Sequence, residues 1–244
     1  MKILKLLSII ITTGALIIMN ANAETLSVTN NKDFSIAHLG HGSLRITVNN
    51  KVIQVDPYSE IADYSKQPKA DLVLITHDHY DHFDKKALDQ VVTSSTKFIT
   101  SKSVAQQLAK PNITTLENGQ STEWNGIKIA AVPAYNIKHK KPDNSPFHPK
   151  GYGNGYVLTI NNKNVYIAGD TEDIPEMANL ANIDIAFLPK NLPYTMDDEM
   201  FVKAAKSFKP KELHPYHYSE VNTDALTKQF DATGIVFKKL PIEK

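Results

Sequence analysis

Three histidines and three aspartates are concentrated in the segment Thr76-His77-Asp78-His79-Tyr80-Asp81-His82-Phe83-Asp84. It follows the apolar segment 71–75, which predicts a buried strand, and runs into the helical apolar rhythm of 84–92. Unpaired carboxylates are costly to bury, so this run of histidines and aspartates is not ordinary core. Residues two apart in an extended segment project to the same side, so His77 and His79 can bind one ion. Imidazole and carboxylate ligands suit zinc, manganese or iron, and the run therefore predicts a metal site.

Composition narrows the remaining possibilities. The 244 residues include 9 histidines, no cysteine and a formal net charge of +1. Without cysteine, disulfide frameworks, zinc ribbons, iron–sulfur clusters and thiol nucleophiles are excluded. With acidic and basic residues nearly balanced, the composition lacks the excess of positive charge that is typical of nucleic-acid-binding proteins. The chain has a single arginine, Arg45, which disfavours a phosphate-binding site built on arginine side chains. We therefore expect a small-molecule substrate and no nucleic-acid partner.

Residues 1–23 predict a secretory signal peptide. Lys2 and Lys5 precede the apolar run 6–19, and Ala21-Asn22-Ala23 supplies a small-residue cleavage signal. The apolar run is shorter than the roughly 20 residues that a spanning helix needs. We expect cleavage to leave residues 24–244 as a single domain, periplasmic or secreted and without a stable membrane anchor. The sequence does not indicate an oligomeric state.

Hydrophobic periodicity predicts two similar α/β halves. The first half has predicted strands at 34–38, 44–48, 52–55, 71–75 and 98–100, with helices at 84–92 and 103–109. The second has strands at 127–132, 156–160, 165–168, 183–188 and 235–237, with helices at 197–208 and ending at 226–230. Each half opens with a hairpin that turns at paired asparagines. This pattern predicts an α/β fold with two sheets face to face and helices outside.

Residues 137–155 carry no periodicity and are rich in Lys, Pro, Asn and Gly. A loop of this length in a compact domain is often functional. We expect it to form a lid over the site, with Gly151, Gly153 and Gly155 as hinges and Lys150 supplying positive charge.

With these motifs the sequence resembles the metallo-β-lactamase superfamily, whose defining motif is H-x-H-x-D-H. Three further stretches resemble motifs of that family: Asp56 after a strand, Gly169-Asp170-Thr171, and His217 in the segment 214–218. The segments 39–43 and 79–84 resemble the branch with the L-ascorbate-6-phosphate lactonases and the N-acylphosphatidylethanolamine phospholipases D. The resemblance implies a four-layer αββα sandwich.

The resemblance also implies two divalent metal ions, with zinc expected first and manganese or iron as alternatives. The implied metal ligands are His77, His79, Asp81, His82, His148, Asp170 and His217. In this scheme Asp170 bridges the two ions, and Asp81 also acts in catalysis by orienting the nucleophile or accepting its proton. We expect His41, Asp56 and Asp84 to orient ligands without binding metal.

One position departs from the family pattern. The third histidine of the first site is expected after residues 130–134, where this chain has Tyr135-Asn136. His148, which lies between prolines and beside Phe147, is the preferred replacement, and His139 and the Asn136 carbonyl are the alternatives. If none of them binds, the site could work with one metal.

The sequence predicts a secreted metal-dependent hydrolase that uses a metal-activated hydroxide on an ester, a lactone or a phosphodiester. Tyr194 and Asn136 are expected to face the substrate, although Tyr194 could equally pack on the helix that follows it. The main alternative is a non-catalytic metal-binding or partner-binding protein on the same fold. A third possibility is oxidoreductase chemistry with iron.

Overall fold

The first sheet forms one inner layer of the molecule. The structure, a computed structural model, describes residues 34–108 and 110–243, so the predicted signal peptide lies outside the described residues. Six strands follow each other in sequence order across this sheet: β1 (Phe34–Gly40), β2 (Ser43–Val48), β3 (Lys51–Val55), β4 (Leu72–Ile75), β5 (Lys97–Thr100) and β6 (Ile113–Thr115). The pairs from β1 to β3 are antiparallel, and those from β3 to β6 are parallel.

The second sheet repeats this plan in the other half of the chain. Its strands are β7 (Ser121–Trp124), β8 (Ile127–Ala134), β9 (Gly153–Ile160), β10 (Lys163–Ile167), β11 (Ile183–Lys190), β12 (Glu212–Tyr218) and β13 (Val236–Phe237). Neighbours from β7 to β10 are antiparallel, and those from β10 to β13 are parallel. Both halves therefore begin with antiparallel strands and end with parallel ones.

Helices cover the outer face of each sheet. They are α1 (Lys85–Val91), α2 (Lys102–Leu108), α3 (Asp198–Phe208) and α4 (Thr223–Phe230), with a 3₁₀ turn at Pro175–Asn179. One apolar core lies between the sheets, a second lies between the second sheet and α3 and α4, and a third lies between the first sheet and α1 and α2. Three cores separate four layers, so the predicted αββα sandwich is confirmed.

The hairpin turns follow directly from the sequence. Asn49 and Asn50 have φ of 48° and 59°, and Asn161 and Asn162 have φ of 46° and 63°. Asparagine tolerates this left-handed region better than most residues, and a two-residue turn of this kind matches the twist of paired strands. No helix in the described part of the chain is long and apolar enough to cross a membrane.

The prediction for residues 137–155 was wrong at its C-terminal end, because β9 already begins at Gly153. Gly153 and Gly155 are therefore strand residues and not hinges. A Cβ on Gly155 would lie 2.7 Å from the carbonyl oxygen of Ala168, and one on Gly153 would lie 3.0 Å from the Cβ of His77. These glycines allow the strand to pass close to the ends of β10 and β4, where the candidate ligands lie.

Candidate metal centre

The predicted ligands meet at one edge of the two sheets. His77, His79, Asp81 and His82 follow β4 in the first sheet, while Asp170 follows β10 in the second. His217 lies near the end of β12, with φ of 46°. Parallel strands present their carboxyl ends at the same edge, and loops that follow them can converge there.

Side-chain donor atoms form three overlapping groups at this edge. Within each group the atoms lie within 4.8 Å of one another. The groups are His77 with His79 and His148; His41 with Asp81, His82 and His217; and His77 with His82 and Asp170. The structure thus brings together all seven predicted ligands, and it adds His41 to one of the groups.

Several of these atoms are buried without a hydrogen-bond partner. They are Nε2 of His77, His82 and His217 and Oδ1 of Asp170. Asp170 lies 3.2–3.4 Å from His217, His82 and His148, but these contacts lack good hydrogen-bond geometry at the Nε2 atoms of His82 and His217. Buried polar atoms are normally satisfied, so the convergence of unsatisfied imidazole and carboxylate atoms fits a divalent metal.

Asp56 and Thr76 orient two of the histidines. The Asp56 carboxylate accepts hydrogen bonds from the Thr76 backbone and hydroxyl at 2.8 and 2.7 Å, and from Nδ1 of His82 at 2.8 Å. Because the Thr76 hydroxyl donates to Asp56, it can accept from Nδ1 of His77 at 3.0 Å. Both rings thereby direct Nε2 toward the centre, where that atom can bind a metal ion once it is unprotonated. The location of Asp56 suits its predicted role.

His148 is buried and reaches the centre from the loop before β9. Its Nε2 lies 3.2 Å from Nδ1 of His79 and 3.4 Å from Oδ2 of Asp170. Asn136 does not line the cleft. Its amide oxygen accepts hydrogen bonds from the backbone and Nδ1 of His148, at 2.8 and 2.6 Å. The expectation that Asn136 faces the substrate is therefore corrected: it supports His148.

Burial and neighbouring charges set the protonation states. Burial lowers the pKa of His77, His79 and His148, in the last case to about 4. Burial alone would also lower the pKa of His82, but the carboxylates of Asp170 and Asp56 outweigh it and raise that pKa well above 6.5. Burial would raise the pKa of Asp170, yet His217 and His82 hold it well below its usual range. The metal-free site thus combines neutral His77, His79 and His148 with a protonated His82 and an ionised Asp170.

Asp81 is half-buried and faces the open side of the centre. Its Oδ2 accepts a hydrogen bond from Nε2 of His41 at 2.8 Å and lies 3.5 Å from Nε2 of His217. The rings of His41 and His217 have centroids 3.7 Å apart. Burial would raise the pKa of Asp81, but the neighbouring imidazoles of His217 and His41 lower it strongly. His41 thus holds the residue that we predicted to act in catalysis.

Two expectations from the sequence, for Asp84 and Lys150, need correction, and the structure does not support the alternative ligand His139. Asp84 caps α1, because its carboxylate accepts from the backbone of Lys86 and of Ser59 at 2.8 and 2.7 Å, and it does not hold a ligand. His139 turns away from the ligand cluster, with Nδ1 2.7 Å from Glu172. Lys150 bonds Glu176 at 2.6 Å and lies over the Tyr135 ring, so it carries no charge over the cleft.

A cleft of about 530 Å³ opens onto the metal centre. Tyr194 lines it, as predicted, and packs edge-to-face on Phe147 with ring centroids 5.1 Å apart. Tyr80, which is 75% exposed, forms another part of the lining. Lys141 and Asn191, which the sequence did not predict as site residues, also line the cleft. Their only sequence signal was proximity to predicted site residues.

Known proteins share both the sequence pattern and this fold. A family model described as the β-lactamase superfamily domain matches residues 35–217. A UPF0173 metal-dependent hydrolase from Thermococcus onnurineus is 33% identical over 195 residues, which cover 75% of this chain and 84% of the relative. The chain therefore belongs to the metallo-β-lactamase superfamily, and it is a metal-dependent hydrolase of that superfamily.

Solved structures with similar folds support the same assignment. A protein from Parabacteroides distasonis, described as a metal-dependent hydrolase, is 45% identical with a TM-score of 0.80, and the match covers 86% of this chain and 94% of that chain. A diiron β-hydroxylase from Streptomyces venezuelae shows likeness of fold alone, at 13% identity and a TM-score of 0.68, over 87% of this chain and 53% of that one. The resemblance to the lactonase and phospholipase D branch stays a prediction.

Proposed function

We propose that the chain hydrolyses an ester, lactone or phosphodiester bond of a small molecule that binds in the cleft beside the metal centre. The observation that carries this proposal is the set of buried, unpartnered ligand atoms at the floor of an open cleft. A purely structural metal site is closed by its protein ligands, whereas a catalytic metal site keeps a position open for substrate.

The proposed centre holds two divalent ions, with zinc expected first. One ion would be held by His77, His79 and His148, and the other by Asp81, His82 and His217. Asp170 would be a ligand of both ions. When bound, such ions supply a water of lowered pKa and polarise the scissile carbonyl or phosphoryl oxygen. Asp81 holds or accepts a proton at Oδ2, and His41 keeps that carboxylate facing the cleft.

The lining of the cleft indicates what kind of substrate fits. Phe147 and Tyr194 form an aromatic wall, and Tyr80 exposes a further ring at the rim. Lys141 is the lysine that lines the cleft, and no hydrogen bond or ion pair engages its ammonium group within residues 34–108 and 110–243. A substrate with an apolar or aromatic group and a nearby anion would complement both features.

We further propose that residues 1–23 are removed as a signal peptide and that the remaining domain acts in the periplasm or outside the cell. The support is the sequence pattern of that segment alone.

The test is a panel of p-nitrophenyl esters, lactones and bis(p-nitrophenyl) phosphate, assayed with purified protein loaded with zinc, manganese or iron. We expect turnover of at least one class, its loss on chelation, and a fall in kcat of about 10²–10⁴-fold for Asp81→Asn. The matched control is Asp89→Asn, on the exposed side of α1, which should retain full activity. Less than about one metal per chain together with no turnover would contradict the proposal and favour a non-catalytic role.

A further inference from the structure

Glu172 is a fully buried carboxylate that the proposed chemistry does not use. It lies two residues after Asp170, at the base of the loop that carries His148. Its oxygens accept hydrogen bonds from three consecutive backbone N–H groups, those of Ile137, Lys138 and His139, at 2.7, 2.6 and 2.7 Å. A buried carboxylate is tolerated only when it is fully bonded, and here the bonds fix the backbone of one loop.

Glu172 also helps to fix the orientation of the neighbouring amide, together with the backbone oxygen of Tyr194 and the backbone N–H of His148, which donates to the amide oxygen at 2.8 Å. Nδ2 of Asn136 donates to Oε1 of Glu172 at 3.1 Å and to the backbone oxygen of Tyr194 at 2.9 Å. Both partners are pure acceptors, so the group facing them must be the NH₂ of the amide. The amide oxygen of Asn136 consequently faces His148.

This orientation determines the tautomer of His148. The Asn136 oxygen can only accept, so Nδ1 of His148, 2.6 Å away, must carry the hydrogen. In the neutral ring, Nε2 then has the free lone pair, and it faces His79 and Asp170. The contacts run in one chain from Glu172 through Asn136 to His148.

We propose that Glu172 is the positioning residue that makes His148 a metal ligand, by fixing the amide of Asn136 and thereby the Nδ1–H tautomer of His148. This inference rests on the proposed metal binding at His77, His79 and His148. It explains how a histidine on a long loop can complete a site that lacks one at position 136: the loop is held by a buried charge and not by packing alone.

The first test needs neither metal nor activity. Long-range ¹H–¹⁵N correlation spectra of the metal-free protein should show His148 as the Nδ1–H tautomer. Glu172→Gln places an NH₂ group among the N–H donors, so it should give a mixture of tautomers at His148. The control is Glu176→Gln, which removes a surface contact to Lys150 and Tyr135 and should leave the spectrum of His148 unchanged.

The second test measures zinc affinity by competition with a chromophoric chelator. We expect Glu172→Gln to weaken zinc binding about 10–100-fold, as loss of a group that orients a ligand typically does, and Glu176→Gln to leave it unchanged. If Glu172→Gln does not fold, Asn136→Leu can be used instead, since it removes the acceptor for His148 while leaving the backbone bonds of Glu172 in place. Asn136→Leu should also give a mixture of tautomers at His148 and weaker zinc binding.

A variant that keeps the tautomer and the affinity of the unmodified protein overturns the inference, even if its melting temperature falls. Failure of the proposed function has a different signature, in which the unmodified protein binds no metal or hydrolyses no substrate while its His148 tautomer is still Nδ1–H.

Discussion

At the scale of single residues, Asp56 orients two candidate metal ligands, one directly and one through the Thr76 hydroxyl. It accepts directly from His82 and fixes the hydroxyl that accepts from His77. Asp56→Asn should weaken metal binding about 10–100-fold, because an amide NH₂ would face donors at one of these positions. Its φ of 42° is one that asparagine tolerates, so the backbone need not change. Chelator competition measures the effect.

The same Asp56→Asn variant should lose about 3–5 kcal/mol of unfolding free energy, since it breaks a buried charge pair. Urea unfolding measures this loss. The control is Asp71→Asn, a half-exposed carboxylate that bonds Lys51 and the backbone of Val52. A partly exposed pair contributes less, so the control should lose no more than about 1 kcal/mol. Equal losses in the two variants would contradict the role assigned to Asp56.

Residue identities could be predicted where chemistry is concentrated. The run 76–84 indicated a metal site because so many ionisable groups follow a buried strand. The roles of Asn136 and Glu172 could not be predicted, because their hydrogen-bond partners are distant in sequence. Asn136 bonds a histidine 12 residues away, and Glu172 bonds backbone groups 33–35 residues away. Asp84 was misread because a helix-capping aspartate and one that orients a ligand look alike in sequence.

At the scale of elements, β9 shows how a strand can be shaped by the site next to it. Gly155→Ala should destabilise the fold by about 1–3 kcal/mol, because its Cβ would collide with backbone that cannot easily move. Thr159→Ala on the same strand removes only a half-buried hydroxyl that donates to Asn164, and should cost about 1 kcal/mol or less. Urea unfolding compares the two variants, and a Gly155→Ala protein as stable as the control would refute the packing argument.

Elements were predictable in proportion to their apolar pattern. Most of the longer strands and the four described helices have clear periodicity, and the paired asparagines marked both hairpin turns. β12 is long and buried but was not predicted, because its two histidines and its proline hide the apolar pattern. β6 and β7 were not predicted, because they are short and mostly exposed or half-buried. The start of β9 was missed because Gly153, Asn154 and Gly155 are typical of loops, and only the nearby ligand strands explain them.

At the scale of the whole molecule, the candidate ligands come from both sheets, so bound metal would link the two halves of the sandwich. Ligands that bind only the folded state stabilise it by about 2.7 kcal/mol when free metal is at 100 times its Kd. For a domain of this size that corresponds to about 5–10 °C in melting temperature. We therefore expect chelation to lower the Tm by that amount in a thermal scan.

The His77→Ala variant is the control for this prediction, since its Tm should respond little to the chelator. A metal-loaded protein that gives up its metal with no change in Tm would show that the sheets are held together without it.

The single arginine has a consequence for how the chain is completed during synthesis. Arg45 in β2 pairs with Glu243, 198 positions later, and Ile242 bridges to His38 in β1. β1 and β2 are synthesised early, so they make these contacts only after residues 242 and 243 have been synthesised. Until residue 243 has emerged from the ribosome, the edge strand β1 lacks this bridge at His38 and Arg45 lacks its carboxylate partner, so the edge of β1 is less protected from pairing with other chains.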